Sequence, residues 1–253
     1  SHAHLDFPDF EGEHEALLER ASAAGIQRIV TIGTDLDSSR HSIELAERFH
    51  SVYAVIGWHP CTVLTAPQDL REPLRKMAQH PKVVAIGETG LDYHHLPSEQ
   101  EGRDASDDKA YKEAQARVFT QHLEVAAETG LNVVIHQRDA YRDSIDLWRP
   151  FADRGVRGVF HCFVGTPAEM EEIVSLGGLV SFTGIVTFKN AESVRQTVAA
   201  TPIDRLMLET DCPYLAPVPY RGKRCEPAYV SEIAQCVADL SLIHISEPTR
   251  QDR

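Results

Sequence analysis

The chain opens with His2 and His4, two imidazoles separated by one residue. In an extended segment residues two apart share a face, so this pair can enter one cavity and hold one cation. Further along, Glu88, His136, His161 and Asp211 each stand at or near the end of an apolar, β-branched run. A buried imidazole or carboxylate without a partner is costly, and four of them on separate runs call for a common one. A shared metal site satisfies them all. Six nitrogen and oxygen ligands exceed the three or four that one catalytic Zn²⁺ takes. Two divalent ions about 3.5–4 Å apart, bridged by a carboxylate, fit that number better. Glu88 is the candidate bridge, because its run lies midway in the order. Imidazole with carboxylate suits Zn, Mn, Fe or Ni and also permits Mg, so these ligands leave the metal's identity open.

Elements that bring such residues together must end on one face. Apolar runs at 27–33, 52–59, 83–90, 132–137, 156–163, 178–184 and 205–211 have no polar face, as expected of parallel strands covered by helices. Amphipathic stretches near 11–24, 38–49, 68–79, 108–129, 139–152, 167–176, 191–199 and 227–239 alternate with them, several opening on a capping or first-turn residue such as Ser38, Pro67 or Thr166. The expected fold is a single-domain α/β TIM (β/α)8 barrel over residues 1–239, whose strand C-termini converge on one face. Seven strands are visible where eight are needed. The first is expected to be truncated, leaving His2 and His4 on a frayed terminus. The acidic stretch 96–109 reads as a mobile excursion near the site.

Composition narrows the classes. With 42% hydrophobic and 25% charged residues the chain is an ordinary folded protein, not collagen-like, disordered or coiled-coil. No apolar run approaches the roughly 18 residues of a membrane helix and no signal segment is seen, so a cytoplasmic protein without membrane or obligate protein partner is expected. Five cysteines without C-x-x-C spacing argue against both a disulfide framework and a thiolate zinc site. A net charge of −13 repels nucleic acid, so a phosphate ligand needs a local positive source.

The motifs SHAHLD, GWHP, GETGLDY, IHQRDA, FHCFVG and LETDCPYLAP, in that order, resemble the TatD-family metal-dependent hydrolases of the amidohydrolase superfamily, over residues 1 to about 239. The resemblance implies a TIM-barrel phosphodiesterase, typically a DNase, with a binuclear centre. It implies one ion on His2, His4, Glu88 and Asp211, and a second on Glu88, His136 and His161. The expected reaction is phosphodiester hydrolysis in DNA by a metal-bridged hydroxide, with Glu88 and Asp211 at the reacting centre and Asp211 receiving the proton. The alternatives are an esterase, lactonase, amide hydrolase or D-aminoacyl-tRNA deacylase on the same centre, or a barrel inactivated by altered termini.

Around this set, His59 is a candidate to contact the scissile phosphate or protonate the leaving oxygen; the alternative is a ring held by neighbouring hydrogen bonds. Arg138, Lys189, Arg221, Lys223 and Arg224 are candidates for the positive rim that binds substrate, against solvated loop charges. Asp92 and Glu209 read as orienters of the ligands. Tyr93 and Tyr214 are candidate base-stacking rings, whereas Trp58 reads as core. Cys225 departs from the Asn that relatives often carry there. Residues 240–250, LSLIHISEPTR, resemble the translation of a sequencing-library adapter, so 240–253 is expected to be a non-native tail replacing the end of the last helix.

Overall fold

β-Branched runs alternating with helices, three of them capped by a side chain at the N-terminus, build a parallel sheet. A computed structural model describes residues 1–99, 102 and 104–245, with side chains as far as Leu240. Seven strands, β1 (Ile29–Ile32), β2 (Val52–Ile56), β3 (Val83–Asp92), β4 (Asn132–Arg138), β5 (Gly158–Phe160), β6 (Leu179–Phe182) and β7 (Leu206–Leu208), pair in parallel and in sequence order. Helices α1 (His14–Ala23), α2 (Leu36–Arg48), α3 (Arg71–Met77), α4 (Ala105–Thr129), α5 (Tyr141–Ala152), α6 (Pro167–Ser175), α7 (Glu192–Ala200) and α8 (Val230–Ile245) cover the outside.

Residues 2–4 close the cylinder. Ala3 bridges in parallel to both Thr31 and Cys212. Its N–H donates to the Val30 carbonyl at 3.1 Å, its carbonyl accepts from Ile32 at 2.9 Å, and the His4 N–H donates to Cys212 at 2.9 Å. The expected frayed terminus is therefore corrected. This short segment is bonded on both sides, as an eighth strand must be, and His2 and His4 are buried.

Inside the cylinder, Ile32, Val55 and Ala85 pack with Val30 and Val134. Val134 and His136 are two apart on β4 and share a face, so this apolar plug lies directly beneath the inward-facing imidazole. A larger cluster, including Phe160, Trp148 and Ile135, fills the layer between strands and helices.

Several boundaries move. The strands expected at 156–163 and 205–211 end early, at Phe160 and Leu208, so His161 and Asp211 sit on the loops just beyond them. Ser38 is not the cap of α2; Asp35 is, accepting from the N–H groups of Asp37 and Ser38. Pro67 precedes α3 by a loop, whereas Thr166 caps α6 reciprocally with Glu169 as expected. The second half of the 96–109 excursion is the start of α4, because Asp104 and Asp107 form a capping box there. Helix α8 runs through the expected division at 239, and residues 246–253 of the expected tail lie outside the described residues. Among the described residues no helix is long and apolar enough to cross a membrane.

Candidate metal centre

Strand β3 is irregular where the chemistry sits. Its register against β4 shifts between Ile86 and Thr89, which frees Glu88 from regular alternation and aims it into the mouth of the cylinder. The closeness of the two strands requires glycine. A Cβ on Gly90, whose φ is 141°, would lie 2.1 Å from the His136 carbonyl oxygen. Gly57 is similarly pressed on the backbone of Gly87, at 2.4 Å for a hypothetical Cβ. At the far side of the mouth Asp211 adopts a left-handed φ of 59°, and its N–H donates to the His2 carbonyl at 2.9 Å, tying the first segment to the loop after β7.

The six expected ligands meet. Glu88 is buried at their centre, and its two oxygens face different groups. Oε1 lies 2.9 Å from His136 Nδ1 and 2.7 Å from His161 Nε2. Oε2 lies 3.2 Å from His2 Nε2 and 4.0 Å from His4 Nε2. Asp211 Oδ1 stands 3.6 Å from His2 Nε2 and 3.4 Å from His4 Nε2. Two of the facing imidazole nitrogens, His136 Nδ1 and His161 Nε2, are only 3.2 Å apart. Lone pairs brought that close to each other and to carboxylate oxygens repel unless a proton or a cation lies between them. His2 Nε2 is in addition buried without a hydrogen-bond partner. The donor set thus fits divalent cations.

Two of the rings are also held from behind by hydrogen bonds. His136 Nε2–H donates to Asp92 Oδ2 at 3.0 Å, and His4 Nδ1–H donates to the Ile32 carbonyl at 3.3 Å. Glu209 lies behind two rings at once, 3.9 Å from His2 Nδ1 and 3.5 Å from His161 Nδ1, and accepts the Cys162 N–H at 2.6 Å. A carboxylate or carbonyl behind an imidazole fixes the tautomer that leaves the front nitrogen's lone pair free for a metal. Asp92 therefore occupies the orienting position expected of it; Glu209 stands behind His2 and His161 at longer range, with His161 Nδ1 buried without a hydrogen-bond partner.

His59 is the exception. Its Nδ1 accepts the Cys61 N–H at 3.1 Å, so in the neutral ring the hydrogen is on Nε2, which points at Glu88 Oε1 from 3.3 Å. That front N–H is a donor, not a metal ligand. Burial pushes the His59 imidazole down, against the pull of Glu88, and keeps it neutral.

The electrostatics are those of buried carboxylates ringed by imidazoles. Burial alone would raise the Glu88 carboxyl, but the surrounding His161, His59 and His2 hold it well below the ordinary value. Burial would lower His161 and His136, yet Glu88 with Glu209 raises the first and Asp92 with Glu88 the second. Glu209, despite its burial, is held down at about 2 by His161 and His2.

The mouth opens on a cavity of about 460 Å³ lined by His136, His161, Asp211, Arg138, Tyr214 and Ile185, among others. Of the expected basic rim, Arg138 lines this cavity; the others are not among its lining residues. Arg224 is paired with Glu13 at 2.8 Å, which neutralises it, and Arg221 lies over the Phe188 ring at 3.8 Å. Lys223 lies near the Tyr220 ring, at 5.9 Å, and the Lys189 carbonyl accepts from Arg195 on the turn after β6. Tyr93 is engaged by Asp143 and by Lys112, Trp58 is buried as expected, and Tyr214 is exposed at the cavity. Cys225 is buried, its N–H donating to Pro213. Sequence reasoning missed Phe7, which stacks on His4 at 4.7 Å, and His122, whose Nε2 accepts the Trp58 N–H at 3.0 Å. Neither carries a local signal, because both act through residues distant in the chain.

Residues 1–251 match the TatD related DNase family. The chain is 37% identical over 247 residues to the metal-dependent hydrolase YabD of Bacillus subtilis, covering 98% of this chain and 92% of that protein. It is 34% identical over 239 residues, 92% of this chain and 87% of the relative, to a protein of Enterobacter lignolyticus named 3'-5' ssDNA/RNA exonuclease TatD. Among solved structures, the TatD homologue YJJV of Escherichia coli superposes with a TM-score of 0.85 at 28% identity, over 95% of this chain and 88% of that one.

Proposed function

Given that the chain belongs to the TatD related DNase family of metal-dependent hydrolases, we propose that it cleaves phosphodiester bonds in DNA, in the cytoplasm, on a binuclear centre. One cation would be held by His2, His4, Glu88 and Asp211, the other by Glu88, His136 and His161. The observation that carries this reading is the division of Glu88, with Oε1 toward His136 and His161 and Oε2 toward His2 and His4. Bound there, divalent cations supply positive charge that acidifies a water and stabilises charge on the phosphoryl oxygens.

The chain's own residues supply the rest. Asp211 borders the cavity and is the base: one carboxylate oxygen takes the proton of the attacking water. His59 offers Nε2–H to a phosphoryl or leaving oxygen. With Nδ1 occupied by the Cys61 N–H, the ring acts as a hydrogen-bond donor and not as a source of a proton. Arg138, at the end of β4, presents a guanidinium that suits two phosphate oxygens better than a neutral acyl centre, which favours a phosphodiester over the ester and amide alternatives. The pairing of residues 2–4 on both sides supports an active chain over an inactivated one.

The test is cleavage of end-labelled single- and double-stranded DNA by the metal-loaded chain, with p-nitrophenyl phosphodiester and p-nitrophenyl acetate compared in parallel. Phosphodiester cleavage abolished by a chelator and by Glu88→Ala is the expected result. Intact DNA alongside rapid acetate hydrolysis would overturn the proposal.

A further inference from the structure

Next to the centre lies a second convergence of donors, which shares Asp92 with it. Cys61 Sγ is 3.6 Å from Asp92 Oδ2, and His95 Nδ1 is 3.3 Å from Asp92 Oδ1. The thiol, the carboxylate and the imidazole each offer one ligand atom within 4.8 Å of the others. Asp92 is rigidly placed, its Oδ1 accepting the N–H groups of His94 at 3.0 Å and His95 at 3.2 Å. Cys61 and His95 are exposed, so an ion can enter from solvent and keep a water as its fourth ligand.

We propose that Cys61, Asp92 and His95 form a third cation site, selective for a thiophilic divalent ion such as Zn²⁺, whose occupation inhibits the hydrolase. Selectivity follows from the donors. A sulfur–nitrogen–oxygen trio suits Zn²⁺ and Cd²⁺ and excludes Mg²⁺, which demands oxygen ligands in octahedral array. Binding replaces the thiol proton, which leaves to solvent as the sulfur–metal bond forms. Inhibition follows from sharing. The same Asp92 Oδ2 that faces Cys61 accepts His136 Nε2–H at 3.0 Å. A cation on that oxygen withdraws the negative charge that orients His136 and makes it basic. Loss of such a partner typically weakens metal affinity or activity by about 10–100-fold. The binding half stands on geometry alone; the inhibition half rests on the hydrolase reading above.

The experiment titrates the metal-loaded full chain with Cd²⁺ and follows the ultraviolet thiolate-to-cadmium charge-transfer band. In parallel, excess Zn²⁺ is titrated against phosphodiester hydrolysis. One further Cd²⁺ equivalent with the band is expected, lost in Cys61→Ser. In both Cys61→Ser and His95→Ala the Zn²⁺ concentration for half-inhibition should rise at least about 10-fold, while His95→Ala keeps its activity without excess metal and Mg²⁺ inhibits no variant. A band that persists in Cys61→Ser overturns the site. A band lost on schedule with unchanged Zn²⁺ inhibition overturns the coupling. Were the chain to cleave no phosphodiester at all, the cadmium arm would still decide whether the site exists.

Discussion

His59 differs from the other imidazoles around Glu88 by where one hydrogen sits. His136 and His4 have a hydrogen-bond acceptor behind them, and His2 and His161 have the Glu209 carboxylate at longer range, whereas His59 has a donor, the Cys61 N–H. The distance from His59 to Glu88, 3.3 Å, would by itself pass for a ligand's. The expectation is that His59→Ala retains the full complement of metal by elemental analysis while kcat falls by about 10²–10³-fold, as for loss of one preorganised hydrogen-bond donor. Loss of a metal equivalent with the ring would show that the tautomer argument is wrong. Glu209 makes the converse case, since it never reaches the reacting face yet stands behind two ligands.

At the scale of elements, the site depends on close strands more than on helix stability. Thr166 and Glu169 cap α6 reciprocally, far from the chemistry in role, so Thr166→Ala should cost about 1 kcal/mol in urea denaturation and leave activity per folded molecule unchanged. Gly90→Ala instead drives a Cβ against the His136 carbonyl and imposes a φ that L residues avoid. Its expected cost exceeds about 3 kcal/mol, with metal affinity lost in step because β3 and β4 must separate. Equal effects of the two substitutions would contradict this division. The outer pairs, such as Arg75 with Glu128 and Arg71 with Asp69, are exposed and contribute little.

For the whole molecule, acid stability should carry the mark of a histidine outside the metal centre. His122 is fully buried on α4, with Nδ1–H donating to the Val118 carbonyl at 2.7 Å and Nε2 accepting from Trp58. Burial pushes it down to about 4. The unfolded chain takes up this proton first as pH falls from the ordinary value near 6.5. Stability is therefore intact above that value and lost toward pH 4, by on the order of 3 kcal/mol. Denaturation of the holoenzyme across that range should show a slope about one proton shallower in His122→Gln than in the parent, whatever the overall stability of the variant. An unchanged slope would mean that His122 is protonated in the fold.

The types and order of the chemical groups were legible in the sequence by itself. Apolar runs ending in Glu88, His136 and His161 specify a parallel barrel with its polar residues at one face, because strand and helix patterning is local and the convergence of strand ends follows from the fold. The place of Asp92 beside the ligands already pointed to its contact with His136. Only the tertiary structure decided which nitrogen of each ring faces Glu88, since Ile32, Asp92, Glu209 and Cys61 come from other parts of the chain. It also decided that residues 2–4 are sewn in from both sides, and that of the expected cations Arg138 reaches the cavity while Arg224 is spent on Glu13. The physical reason is the same throughout: periodicity and side-chain type are carried by neighbours in sequence, whereas a proton's position and a charge's partner are set by neighbours in space.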